Sequence, residues 1–144
     1  MHSFCCFINQ SFTIRYTFSK NERLKNKKLI AQLFAQGETL DLYPLRMIYL
    51  PYSATRIPSH QVLFAVSKKR IKNAVMRHRI TRKLREAYRH TKHLLYKKTS
   101  NNIYFLIAYI YLDSNEKPNF RSVQAKIATS IHYLRRLKDS KTNS

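Results

Sequence analysis

Between Lys68 and Lys98 the chain carries thirteen lysines and arginines and a single acid, Glu86. Charge of that sign and density suits one kind of chemistry, the holding of phosphate, and the spacing decides whether it forms a surface. On a helix of about 3.6 residues per turn, with Arg77 set at zero, Lys92 falls at about 60°, Arg85 at about 80° and His78 at about 100°. Arg89 follows at about 120°, Arg82 at about 140° and Arg79 at about 200°, while the apolar stripe centres near 310°. Arg82, Arg85 and Arg89 therefore occupy successive turns of one row, opposite the core. Cations three and four apart repel by a few tenths of a kcal/mol per pair, and a merely soluble surface would intersperse acids among them. The choice of arginine adds weight, because its planar fork can grip a phosphate bidentately. Just upstream, Ser67, Lys68, Lys69 and Arg70 leave a strand, and Asn73 stands at a helix N-cap, where backbone amides favour phosphate.

Other chemistries lack their parts. The seven acids (Glu22, Glu38, Asp41, Glu86, Asp113, Glu116, Asp139) are scattered, with no D-x-D or E-x-K pair to hold two metals. His90 and His93 share a helical face, yet no third ligand accompanies them. One glycine, Gly37, rules out a P-loop. Cys5 and Cys6 are adjacent, which offers neither a disulfide framework nor a zinc site and points to a reducing compartment.

The elements that must position the basic row can be read from the rest of the chain. Its 144 residues carry a formal net charge of +21, and 44% are hydrophobic, enough for one domain with a core. Residues 1–17 read as a disordered extension, 18–138 as a single α+β domain, and 139–144 as a disordered polar tail. Asn26 reads as an N-cap, Leu29, Ile30, Leu33 and Phe34 as one helical face, and Gly37 as the C′ residue. Residues 43–52 and 61–66 predict strands, separated by a loop over 53–59. A long helix over 73–97 follows on Met76, Ile80, Leu84, Ala87, Tyr88, Thr91, Leu94 and Leu95. Ser100, Asn101 and Asn102 break it. Residues 103–112, apolar on both faces, predict a covered central strand, and residues 120–138 a last helix. This order makes an α+β two-layer sandwich, a small mixed sheet with three helices. No apolar run approaches the roughly 20 residues of a membrane helix, and no segment reads as an address, so a soluble cytoplasmic protein is expected.

Phe64-Ala65-Val66-Ser67-Lys68-Lys69, followed by Asn73-Ala74-Val75-Met76-Arg77-His78-Arg79-Ile80-Thr81-Arg82-Lys83-Leu84-Arg85-Glu86-Ala87-Tyr88-Arg89, resembles the signature of the bacterial ribonuclease P protein subunit. That family reads S-V-S-K-K, a spacer, then N-A-V-x-R-N-R-I-K-R-x-x-R-E-A-(F/Y)-R. Phe18-Ser19-Lys20-Asn21-Glu22-Arg23-Leu24 and Leu33-Phe34-Ala35-Gln36-Gly37 fit as well, so the resemblance spans about residues 16–138. Three positions depart from it: His78 for an asparagine, Thr81 for a lysine, and Lys72 for the glycine before Asn73.

The resemblance implies a left-handed β-α-β crossover, where a common α/β unit would be right-handed. It implies a protein that assists a catalytic RNA subunit in cleaving the 5′ leader from precursor tRNA, an endoribonuclease whose chemistry belongs to the RNA with Mg²⁺. Lys68, Lys69, Asn73, Arg77, His78, Arg79, Arg82, Lys83, Arg85 and Arg89 are then expected to bind the RNA subunit. Phe18, Phe34, Ile48, Tyr49 and Ser67 are expected to line the leader cleft, the aromatics stacking on unpaired bases at about 1–3 kcal/mol each. Phe34 has two open readings, since it also lies on the apolar stripe of its helix. No protein catalytic residue, protein-held metal, membrane or DNA is expected. The competing readings are a ribosomal or assembly protein, and a DNA-binding regulator using residues 74–89; against the latter, the basic row lacks the Asn and Gln side chains that read base edges.

Overall fold

The computed structural model describes residues 18–53, 59–96 and 103–142. The proposed extension over 1–17, most of the 53–59 loop and the Ser100-Asn101-Asn102 break lie outside them. In chain order come a 3₁₀ turn (Lys20–Glu22), α1 (Lys27–Gln36), β1 (Glu38–Leu42), β2 (Leu45–Ser53), β3 (Gln61–Val66), α2 (Ala74–Thr91), a second 3₁₀ turn (Lys92–Leu94), β4 (Ile103–Tyr111) and α3 (Phe120–Thr142). The sheet order is β1-β2-β4-β3, with β4 antiparallel to β2 and parallel to β3 across the α2 connection. A mixed four-stranded sheet carrying three α-helices is the α+β sandwich expected from the sequence.

Side-chain alternation sorts the sheet into two unequal faces. Leu45, Met47 and Tyr49 of β2 and Phe105, Ile107, Tyr109 and Tyr111 of β4 point to one side. There they bury against Ile80, Leu84, Ala87 and Tyr88 of α2 and Val123, Ile127, Ile131 and Leu134 of α3. The other face is thinner: Leu24, Leu33, Leu106 and Ala108 are its buried residues, with Ile48, Leu50, Tyr52 and Leu63 partly covered around them. The central, doubly covered position expected for residues 103–112 is that of β4.

Four local expectations need correction. Strand β1 was not expected; its five residues form the sheet edge and pair with β2 through Glu38↔Tyr49 to Leu42↔Leu45. Helix α2 ends at Thr91, not near 97, and tightens into the 3₁₀ turn. The segment from Asp139 to Thr142 is the end of α3 and not a disordered tail. Gly37 does end α1, its amide donating to the Leu33 carbonyl at 2.8 Å, but with φ −69° and not in the left-handed region. Glycine is needed there for space: a Cβ would stand 2.3 Å from the Leu33 carbonyl oxygen and 2.7 Å from Ile48 Cγ2. Pro51 sits inside β2, opposite Phe105 but beyond the last β1 pair, where the strand needs no donor on that side.

Candidate RNA-binding surface

Helix α2 is capped by Asn73, whose side chain accepts from the Val75 amide at 3.0 Å. The spacer before it, lacking the family's glycine, closes without any positive φ among the described residues. Arg77 makes this possible by donating from Nη1 to the carbonyls of Ile71 and Lys72, both at 2.9 Å, while the Ile71 side chain is buried. Arg77 thus latches the loop that presents Lys68, Lys69 and Arg70, all exposed. Ser67 sits at the start of the same turn, its hydroxyl accepting from the Lys69 amide at 3.2 Å.

The helical wheel is matched over most of α2: Ile80, Leu84, Ala87, Tyr88 and Thr91 are buried, and His78, Arg79 and Arg82 are exposed. Arg85 and Arg89 are half-buried, and Lys92, just past the helix, is instead buried with its ammonium 2.7 Å from Glu22 Oε1. A hollow of about 200 Å³ between α2 and the end of β3 is lined by Val66, Ala74, Arg77, His78 and Thr81. Thr81, where the family has lysine, turns its hydroxyl onto the Arg77 carbonyl at 2.9 Å. Lys83 is half-buried and reaches the Pro118 carbonyl at 3.5 Å, so it ties α2 to the loop before α3 and does not extend the arginine row.

Further along, Phe18, Arg82, Arg85, Glu86 and Arg89 line a second hollow, of about 320 Å³. The Phe18 ring meets Phe64 and Tyr88 edge-on, and the Arg23 and Arg85 guanidiniums lie over it at 5.6 and 5.8 Å. Phe18 is therefore a support for arginines and not an open platform for a base. Burial, and after it the neighbouring Arg23 and Arg82 charges, pull the Arg85 pKa down. Crowded cations of this kind gain from any anion that enters. The row also holds the one acid of this stretch, Glu86, to which the sequence assigned no role. Glu86 bonds Arg89 and, at 3.1 Å, His90, and the Arg89 hydrogen bond is the main cause holding its carboxyl below the usual range. The i, i+3 and i, i+4 spacings of Glu86, Arg89 and His90 were the available signal.

The expected leader residues do not converge. Tyr49 is buried on the α2/α3 side, its phenol donating to Glu38 Oε2 at 2.6 Å and lying 3.1 Å from the Tyr133 hydroxyl. Burial and then the Glu38 bond push that phenol's pKa up, so it is committed to the fold. Ile48, its neighbour in β2, points the other way, under α1 beside Gly37. Phe34 is 48% exposed on α1, which settles its two readings in favour of the surface. Phe18 and Tyr49 thus belong to one face of the sheet and Phe34 and Ile48 to the other.

The fold and this surface define the class: an α+β domain that presents one helix, nearly free of acids on its outer side, to a polyanion. The sequence model of the Ribonuclease P family matches residues 18–135, and the chain belongs to that family. It is similar to the ribonuclease P protein component of Porphyromonas gingivalis, with 38% identity over 117 residues, 81% of this chain and 85% of the relative. The Chlorobium phaeobacteroides protein component is 34% identical over 126 residues, spanning 81% of this chain and 86% of its own length. Among solved structures, the Staphylococcus aureus RNase P protein shares the fold with a TM-score of 0.62 at 18% identity, covering 79% of this chain and 95% of that one. The Thermotoga maritima protein superposes with a TM-score of 0.61 at 19% identity, over 80% and 96% of the two chains. The chain is thus the protein component of a ribonucleoprotein endoribonuclease, and the RNA subunit of that enzyme is its partner. The ribosomal and DNA-regulator readings fall away.

Proposed function

We propose that the chain docks on the catalytic RNA subunit through the outer face of α2 and the 67–70 loop, and steadies the 5′ leader of precursor tRNA. The RNA subunit then removes the leader to give the mature tRNA 5′ end. The observation that carries this reading is the outer row of α2, where exposed Arg79 and Arg82 and half-buried Arg85 and Arg89 follow one another with Glu86 as the only acid. Lys and Arg there replace cations that would otherwise screen RNA from RNA. The leader is assigned to the opposite, α1 side, where Phe34 offers an exposed aromatic ring above a thinly covered sheet face.

Mg²⁺ is assigned to the RNA. Among the described residues no three His, Cys, Asp or Glu side chains are placed to hold a metal ion, and no step is given to a protein-bound one. No helix among them is long and apolar enough to cross a membrane, and we place the protein with its RNA partners in the cytoplasm.

The test uses labelled precursor tRNA with the RNA subunit, titrated with Mg²⁺. Adding the protein is expected to lower the Mg²⁺ required for leader removal, while nucleic-acid-free protein leaves the precursor intact. Leader removal by the protein alone, surviving nuclease treatment of the preparation, would overturn the reading.

A further inference from the structure

Glu86 stands where the basic face would least be expected to tolerate it. It lines the same hollow as Phe18, Arg82, Arg85 and Arg89 and holds the Arg89 guanidinium by a hydrogen bond from Nη2. The carboxylate has a second contact on the following turn, His90 Nε2 at 3.1 Å, so it keeps a partner if Arg89 is withdrawn. Arg85, the middle member of the row, is fixed by packing over Phe18, and Arg82 is exposed at the rim. The Nε atoms of Arg85 and Arg89 are buried without an acceptor, so neither guanidinium has its hydrogen bonds complete.

A carboxylate and a phosphate present the same acceptor edge to a guanidinium fork. We propose that Glu86 is a built-in stand-in for one backbone phosphate of the RNA subunit: it occupies Arg89 in the free protein and yields it, turning to His90, when the phosphate enters the hollow. Phe18 is a positioning residue here, holding Arg85 in place for the same phosphate. The occupant is assigned to the RNA subunit because the hollow continues the α2 row, whereas Phe34, the exposed aromatic assigned to the leader, lies across the sheet. This rests on the docking reading above, and the test separates the two.

Affinity for the RNA subunit is measured for wild type, Glu86→Gln, Arg89→Ala, the Glu86→Gln/Arg89→Ala pair and Arg82→Ala/Arg89→Ala, each with a melting temperature near wild type. Asp41→Asn, which removes a similar exposed ion pair from the far edge strand β1, is the control for net charge. Glu86→Gln is expected to bind about twofold to fivefold tighter, the effect of one exposed ion pair. That gain should vanish in the Arg89→Ala background, and Asp41→Asn should do nothing. An equal gain with and without Arg89 would show Glu86 acting only as a distant charge, and weaker binding by Glu86→Gln would show it contacting RNA itself; either overturns the proposal. If Arg82→Ala/Arg89→Ala binds as wild type does, the docking reading fails instead. Phe18→Leu should flatten the dependence of log K on log salt by nearly one unit without lowering the melting temperature appreciably, and Phe18→Tyr should restore it. An unchanged slope in Phe18→Leu would remove Phe18 from the account.

Discussion

The two faces of the sheet solve different problems with different amounts of core. On the α2/α3 side two helices close over Leu45, Met47, Phe105, Ile107 and Tyr109. On the α1 side a ten-residue helix covers Leu106 and Ala108 with one fully buried anchor, Leu33. The thick face makes α2 rigid enough to carry a row of mutually repelling arginines, because the helix is held from below by burial and not by its own surface pairs. The thin face leaves Phe34 exposed and Ile48, Leu50 and Tyr52 only partly covered. Charge is supported where the core is deep, and apolar contact surface remains where it is shallow.

If that contrast is right, the largest stability loss belongs to the deep side. Leu84→Ala removes a fully buried side chain from the α2 contact and is expected to destabilise by about 2–5 kcal/mol in denaturant unfolding. A loss below about 1 kcal/mol would mean that α2 is not held by its buried face.

Next comes a pH effect at the edge of the same core. His60 is fully buried, accepts the Phe105 amide at Nδ1 at 3.0 Å and stacks on the Phe105 ring. Burial, with Lys138 nearby, pushes its pKa down to about 3. The unfolded chain protonates it near 6.5, so from about 6.5 down to about 3 the unfolded state binds more protons and stability falls as pH falls. Between pH 7 and pH 5 this one group contributes a loss of about 2 kcal/mol. His60→Gln, which keeps an acceptor, should remove that part of the pH dependence; an identical pH profile would sink the assignment.

The smallest expected stability change is on the shallow side. Phe34→Ala should alter stability by less than about 1 kcal/mol, yet weaken binding of precursor tRNA more than of mature tRNA at saturating RNA subunit. Equal weakening of both would detach Phe34 from the leader.

The sequence made the architecture readable wherever burial imposes a period. The stripe Ile80, Leu84, Ala87, Tyr88 places α2, and the unbroken apolar run of residues 103–111 places β4 between two partners. It did not reveal β1, since Glu38-Thr39-Leu40-Asp41-Leu42 is short and mostly exposed, and an edge strand buries too little to leave a strong pattern. At the surface site, direction along the helix was readable and occupancy was not. Arg77 and Asn73 face the right region, yet part of their hydrogen bonding belongs to Ile71, Lys72 and Val75, and Lys83 turns away from the row to the Pro118 carbonyl. Tyr49 and Ile48 are adjacent in sequence and so fall on opposite faces of a strand, which no single cleft could join.

The central claim is that the α2 row holds RNA phosphates while the buried stripe of the helix, and not the row, carries the fold. It is tested most directly by the salt dependence of RNA-subunit affinity in the Arg82→Ala/Arg85→Ala/Arg89→Ala variant. The account predicts a melting temperature near wild type, affinity lower by orders of magnitude, and a slope of log K against log salt flatter by about two units or more. A folded variant with the wild-type slope and affinity would contradict it.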